Sequence, residues 1–302
     1  MAVGNSMGIG IPMVNLGLGG GGGGGSFLLD DYPNTNGHSY SLRQLSSTIT
    51  NVVRVRRATD NTEQDFTATQ ITDGTLATFC GSGDGFVAKW YDQSGSNDVL
   101  NFTALQQPKI FAEIGPGFGG VLLQNGKPCM EFDGVDDSLQ ALIFPQSSGA
   151  YYLFAVNTFV SGPGPGEPQV YMYGLKEDIP APFTGNSSIR WNGLGAEFRG
   201  SSDLSFIVQQ GVQSLYYARQ QAGPGPFSGS TIKVNQTQNP LIGFTDNGIS
   251  QARNTIVLGN NPNNYAGQNS NIKLQEFILY LADPGPAETP IQVDINTYYS
   301  VY

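Results

Sequence analysis

Charge is scarce in these 302 residues: Lys, Arg, Asp and Glu make up 13% of the chain, about half the ~25% of an ordinary soluble domain. There is one histidine, His38, and there are two cysteines, Cys80 and Cys129. A single imidazole excludes a multi-histidine zinc site and leaves little for a Ser–His–Asp relay, so His38 is expected in a loop. Two thiols allow at most one bridge, which is no disulfide framework; they read as reduced and partly buried, with pairing left open. Basic residues number 14 against 24 acidic ones, a formal net charge of -10. That balance lacks the clustered Lys/Arg that phosphate neutralisation needs, so nucleic acid is not an expected partner. No apolar run reaches the roughly 18 residues of a membrane-spanning helix, so no membrane partner is expected either. No basic residue precedes Arg43, so the apolar stretch near the start lacks the cationic region of a secretory signal. Synthesis in a host cytoplasm without a signal peptide is the expectation.

What is abundant is glycine, with 41 residues, and side-chain amide, with 23 Asn and 21 Gln against 38 charged side chains. Residues 1–26 form an apolar arm and glycine-rich linker. Ile9, Ile11, Met13, Val14, Leu16 and Leu18 lead into the seven glycines Gly19–Gly25, whose missing Cβ atoms make a flexible tether. An uncharged apolar segment is expected to dock on a partner subunit, most simply as an added strand. Residues 27–302 alternate short β-branched and aromatic runs with Gly, Pro, Asn and Asp punctuation. Strands are expected at Asn51–Arg57, Phe86–Tyr91, Tyr151–Phe159, Gln169–Leu175, Ala196–Arg199, Ser214–Arg219 and Ile272–Leu281, among others. Helical periodicity is weak, at Ser41–Ser46, Gly74–Phe79 and Pro290–Tyr299. The fold class is therefore all-β: an antiparallel β-sandwich of jelly-roll type with a few short helices and an extended N-terminal arm.

Two sets of motifs carry a resemblance. Val53-Arg-Val-Arg-Arg-Ala-Thr-Asp-Asn and Phe79-Cys-Gly-Ser-Gly-Asp-Gly, followed by Tyr91-Asp-Gln-Ser-Gly, resemble the catalytic domain of fungal α-L-arabinofuranosidase B. Asn125-Gly-Lys-Pro-Cys-Met-Glu-Phe-Asp-Gly and Leu274-Gln-Glu-Phe-Ile-Leu-Tyr resemble concanavalin A-like (laminin G-like) jelly rolls, including those of bacteriophage structural proteins. The enzyme family pairs the cysteine after Phe79 with one five positions on, where this chain has Gly85. Its nucleophile and acid/base motifs are absent; the nearest carboxylates are Glu197 and Asp246. Retaining hydrolysis needs two carboxyls about 5–5.5 Å apart, and no such pair is evident, so arabinofuranoside turnover is expected to stay at background.

Two functions follow. The first is a structural virion protein, a capsid- or tail-associated appendage, displaying a lectin-like jelly roll anchored through residues 1–18. It would form a homo-oligomer and bind surface glycans through Trp191, Tyr171, Tyr173 and Tyr265. The alternative is a glycoside hydrolase of α-L-arabinofuranosidase type. No organic cofactor is expected. Asp133, Asp136 and Asp137 are the residues that could supply oxygens to calcium. Arg54, Arg56 and Arg57 have Asp60, Asp65 and Asp92 as natural partners, and a buried clamp between Asp92 and one of these arginines is expected. Gly81-Ser-Gly-Asp-Gly lacks the Lys-Ser/Thr of a phosphate loop and reads as a turn before a strand.

Overall fold

The turn-punctuated runs become, in a computed structural model of the chain, a curled antiparallel β structure with a few short helices. The structure describes residues 26–95, 97–115, 118–146, 151–162, 170–177, 187–191, 196–199, 203–206, 210–220, 231–238, 253–260 and 268–302. The arm residues Ile9, Ile11, Met13, Val14, Leu16 and Leu18, and also Asp246 and Tyr265, lie outside the described residues.

The first half of the chain contributes β1 (His38–Ser41), β2 (Asn51–Arg57), β3 (Glu63–Thr67), β4 (Gly85–Trp90), β5 (Val99–Leu100), β6 (Lys109–Gly115), β7 (Phe118–Val121), β8 (Leu123–Gln124), β9 (Lys127–Pro128), β10 (Met130–Asp133) and β11 (Leu139–Gln146). The second half adds β12 (Tyr151–Ser161), β13 (Val170–Glu177), β14 (Ser187–Trp191), β15 (Ala196–Arg199), β16 (Asp203–Phe206), β17 (Gln213–Gln220), β18 (Thr231–Val234), β19 (Thr237–Gln238), β20 (Arg253–Leu258) and β21 (Asn271–Tyr280). The helices are α1 (Leu28–Asp31), α2 (Ala68–Thr72), α3 (Thr75–Cys80) and α4 (Glu288–Tyr299). Among the described residues none is long and apolar enough to cross a membrane.

Pairing runs β3-β2-β4-β5-β11-β20-β13-β14-β15-β16 in one layer. In the other it runs β7-β6-β10-β21-β12-β17-β18-β19, with β1 continuing the β10 edge of β21. The outer edge of β4 meets β5 at one end and β6 at the other, so the layers are joined there.

The second layer is buried on both faces. Tyr151, Leu153, Ala155 and Phe159 of β12 enter the core between the layers, with Trp90, Phe132, Tyr216 and Phe277. Tyr152, Phe154 and Val156 enter a second cluster with Leu28, Leu29, Ile291, Ile295 and Tyr299 of the flanking helices. Successive strand residues point to opposite faces, so covering both faces requires the unbroken apolar run that β12 has. In α4 the buried Ile291, Ile295 and Tyr299 recur every fourth residue, a helix's one-sided stripe.

Two helical expectations are met closely, by α3 and α4. Ser41–Ser46 is not helical: Ser41 ends β1 and the following residues are irregular. The two remaining helices were not read from sequence, although α2 carries a capping box. Gln70 N donates to Thr67 Oγ1 at 3.2 Å and Thr67 N donates to Gln70 Oε1 at 3.0 Å. The glycine-rich stretch after Cys80 is a turn leading into β4, with Gly83 N donating to Cys80 O at 3.2 Å.

Cys80 and Cys129 are both free and buried, and burial pushes each thiol up to about 12. Gly85 faces Cys80: a Cβ at Gly85 would lie 2.7 Å from Cys80 Sγ and 3.1 Å from Phe111 Cβ. Disulfide geometry puts one Cβ about 3 Å from the partner sulfur. Gly85→Cys is therefore expected to form a bridge to Cys80 under mild oxidation, adding about 2 kcal/mol for so short a loop. Thiol titration and melting with and without reductant check it; one free thiol, that of Cys129, is expected after oxidation, and three would refute the placement. Gly85→Ala crowds the same sulfur without forming a bond and should lower the melting temperature.

Candidate functional site

Cross-strand register builds one row of residues across the face of the first layer that points away from the core. Asp65 stands opposite Arg54, Arg54 opposite Lys89, and Lys89 opposite Leu100. Leu100 stands opposite Gln140, and Gln140 opposite Val257. Directly opposed residues share a face. Leu139 and Ala141 turn into the core, so Gln140 and Leu142 turn outward.

The charged end of this row is closed by its own contacts. Arg54 donates to both Asp65 oxygens, Nε to Oδ1 at 2.6 Å and Nη2 to Oδ2 at 3.1 Å, and Tyr91 Oη donates to Oδ1 at 2.7 Å. The hydrogen bond from Arg54 holds the Asp65 carboxyl below its ordinary range, while burial and the Asp65 contact push Tyr91 up to about 12. Lys89 Nζ donates to Asp98 Oδ2 at 3.0 Å. Both carboxylates are committed to cations, so neither stands ready as a general acid or base.

Beyond the charges the face opens into a groove of about 470 Å³, lined by Asp98, Leu100, Phe102, Gln106, Ser138, Gln140, Leu142 and Thr255 among others. Phe102 is 91% exposed and Leu142 77%. The loop that presents Phe102 is tightly built. Asn101 Nδ2 donates to Gln106 O and Ser138 O at 3.0 and 2.9 Å, and Asn101 Oδ1 accepts from Thr103 N at 2.8 Å. Arg56, buried and with no carboxylate bonded to it among the described residues, braces the loop from below. Its Nε donates to Gln107 Oε1 at 2.7 Å, its Nη2 to Ala104 O at 2.8 Å, and its guanidinium lies 4.9 Å from the Phe86 ring centre. Burial lowers its pKa from the ordinary arginine value. An exposed ring flanked by amides, a hydroxyl and a carboxylate in a concave site suits a ligand with both C–H faces and hydroxyls.

The expected Asp92–arginine clamp is not formed. Arg54 pairs with Asp65, Arg57 pairs with Asp60 at 2.7 Å, and Arg56 takes neutral acceptors. Asp92 is buried, but its partners are His38 Nδ1 at 3.1 Å, Ser39 N at 2.9 Å, and Ser94 N and Oγ at 3.0 and 2.7 Å. The reason is direction: Asp92 lies past the end of β4 and turns toward β1, away from β2. His38 accordingly is not a loop residue; it opens β1 and is buried. The single Ser94 hydroxyl proton goes to Asp92 Oδ1 at 2.7 Å, with Gly37 O as the other acceptor in reach at 3.1 Å, and not to the imidazole, so these residues form a brace and no nucleophilic relay.

Tyr173 is 1% exposed with its ring 5.3 Å from Phe277, which places it in the core and not on a glycan-facing surface. Tyr171, Trp191 and Glu197 fall on the adjacent strands β13, β14 and β15, where the register runs Tyr171–Arg190–Glu197–Ser205. Asp133, Asp136 and Asp137 do come together, with one oxygen from each within 4.8 Å of the others, a group that could hold a metal ion. Burial pushes Asp137 up to about 7. Phe102 was missed in the sequence; its only signal was an aromatic between Asn101 and Thr103 in a polar loop.

No protein-family description matches the chain, and no curated protein matches it by sequence. Among solved structures, the fold is similar to a GH54 α-L-arabinofuranosidase soaked with a cyclic sulfate inhibitor, with a TM-score of 0.62 and 12% identity over 91% of this chain. It is similar also to an arabinofuranosidase complexed with arabinofuranosyl-α-1,2-xylobiose, with a TM-score of 0.57 and 13% identity over 91% of this chain. The chain spans 65% of the length of each. At such identity the likeness defines the fold: an all-β sandwich of the architecture found in these carbohydrate-active enzymes.

Proposed function

We propose that this chain is a carbohydrate-binding β-sandwich that takes a sugar against Phe102 in the groove between β5 and β11. The observation that carries this function is the ring itself, held 91% exposed by a rigid loop among amides and a carboxylate. The arabinofuranosidase-like fold supports it, as do the many amides of the surface, which suit hydroxyl recognition. In the same proposal the chain is an appendage of a virion or other particle, tethered by residues 1–18 as one copy of a homo-oligomer. Its support is the apolar, uncharged arm and the glycine tether that follows it.

Calorimetry against arabinose- and xylose-containing oligosaccharides tests the binding function. Loss of a stacking ring is worth about 0.5–1.5 kcal/mol, so Phe102→Ala should weaken affinity roughly two- to tenfold while the melting temperature stays put. Equal affinity in the variant would remove the groove from consideration. A hydrolase is the second function, favoured by the 91% of this chain that aligns with the arabinofuranosidases. Turnover of a chromogenic arabinofuranoside that Glu197→Gln abolishes would establish it.

A further inference from the structure

The turn between β8 and β9 consists of Asn125 and Gly126, which take positive φ of 51° and 73°. Asn-Gly is the pair that such a two-residue hairpin favours. Both residues are exposed, and Asn125 Nδ2 donates to Tyr299 O at 3.0 Å and to Ser300 O at 3.1 Å. The turn therefore clasps the chain where α4 ends, at carbonyls that have no donor within the helix. Asn296 holds the same segment from the other side. Its Oδ1 accepts from Val301 N at 2.9 Å and from Tyr302 N at 3.0 Å.

An asparagine followed by glycine is chemically labile, because no Cβ shields the glycine nitrogen from the side-chain carbonyl carbon. Two such pairs lie among the described residues, Asn36-Gly37 and Asn125-Gly126, and their surroundings differ. Gly37 is buried, its N donates to Asn34 O at 3.3 Å, and a Cβ there would overlap Leu279 O. Gly126 has open space where a Cβ would stand, and its N makes no hydrogen bond among the described residues. The nitrogen is walled in after Asn36 and free after Asn125.

We propose that Asn125 is a modification site, converting without an enzyme to aspartate and isoaspartate and thereby opening the clasp at the end of α4. The Gly126 nitrogen bonds to Asn125 Cγ and passes its proton to water. The Cγ–Nδ2 bond breaks and ammonia leaves, so the turn closes into a cyclic imide. Water then breaks one imide C–N bond: cleavage at Cγ gives aspartate, and cleavage at the backbone carbonyl carbon gives isoaspartate. Nδ2 must first leave Tyr299 O and Ser300 O, so the fold slows the reaction relative to a free chain without walling it off. Neither product has an N–H to give these carbonyls, and aspartate sets a carboxylate against them. Isoaspartate also lengthens the backbone of a turn whose strands pair Leu123 with Pro128 and Gln124 with Lys127. The hairpin stays anchored by Gln275, whose Nε2 faces the carbonyls of Gln124, Lys127 and Pro128 at 3.2, 3.3 and 3.2 Å. The release therefore falls on the C-terminal segment.

The test is incubation of the full chain in mildly alkaline buffer, followed by peptide mapping that separates aspartate from isoaspartate. A linear peptide of residues 121–130 is the reference. Asn192 and Asn247 also precede glycine but lie outside the described residues, and they map to separate peptides. Asn125 is expected to convert more slowly than in the linear peptide but at least about tenfold faster than Asn36, whose neighbouring nitrogen must first give up a buried hydrogen bond. Gly126→Asp keeps a residue type that tolerates positive φ yet places a Cβ beside the nitrogen, and should slow the conversion. Asn125→Asp, made directly, should lower the melting temperature by about 2–4 °C through the lost hydrogen bonds. Asn36 converting first, or Asn125 intact once the linear peptide has fully converted, overturns the modification site. An unchanged rate in Gly126→Asp overturns the Gly126 nitrogen as the attacking group. A wild-type melting temperature in Asn125→Asp overturns the opening of the clasp.

Discussion

Glu276→Ala is expected to destabilise the protein by about 3–5 kcal/mol, the usual penalty for stranding the partner of a buried charge. The Glu276 side chain is 0% exposed. Arg43 grips it with two bonds, Nε to Oε2 at 2.8 Å and Nη2 to Oε1 at 3.1 Å. Ser41 Oγ and Tyr299 Oη also donate to Oε2, at 2.7 and 3.2 Å. Arg43 additionally pairs with Asp294 at 2.6 Å and lies 4.9 Å from the Tyr298 ring centre. One carboxylate therefore ties the chain after β1 and the helix α4 to the central strand β21. Its removal takes both hydrogen bonds of the buried guanidinium to Glu276, leaving it only Asp294, and takes the nearest acceptor from Ser41 Oγ. The Arg54–Asp65 pair is the control: its partners are 37% and 30% exposed, so Asp65→Ala should cost about 1 kcal/mol or less. Urea unfolding of both variants checks the contrast. A Glu276→Ala loss no larger than that of Asp65→Ala would show that the buried cluster does not hold α4.

The local part of the fold was legible in the sequence. Asn51–Arg57 and Ala196–Arg199 are strands with those bounds, since β-branched and aromatic residues between turn signals have little other choice. The run Tyr151–Phe159 read correctly as a strand, but nothing local announced that α4 covers its second face from the far end of the chain. The Arg54–Asp65 pairing was within reach, because the turn at Ala58–Asn61 sets the β2–β3 register. Asp92 was assigned to the wrong partners because its direction depends on where β4 ends relative to β1, a tertiary fact. The groove was illegible for a similar reason: the loop of Phe102 is held by Arg56 from β2, which meets its Gln107 and Ala104, and by Ser138 from the turn before β11.

Asp92→Ala is expected to cost about 3 kcal/mol or more, although no arginine is lost with it. The carboxylate is 2% exposed, and Oδ1 alone receives Ser39 N, Ser94 N and Ser94 Oγ. Ser39 is fully buried, so its amide would have neither the carboxylate nor water, and each stranded buried donor costs about 1–3 kcal/mol. His38 loses the acceptor at its Nδ1 as well. Asp92→Asn retains an oxygen where those donors converge, so it should cost less than half as much as alanine. That ratio separates a hydrogen-bonded brace from an ion pair, in which asparagine would be nearly as damaging as alanine. Arg56→Met supplies the decisive comparison. Arg56 and Asp92 share no hydrogen-bond partner, so the double variant should equal the sum of the single ones to within about 0.5 kcal/mol. Coupling well above that value would return Asp92 to an arginine clamp; additivity leaves it as the brace that joins the start of β1 to the end of β4.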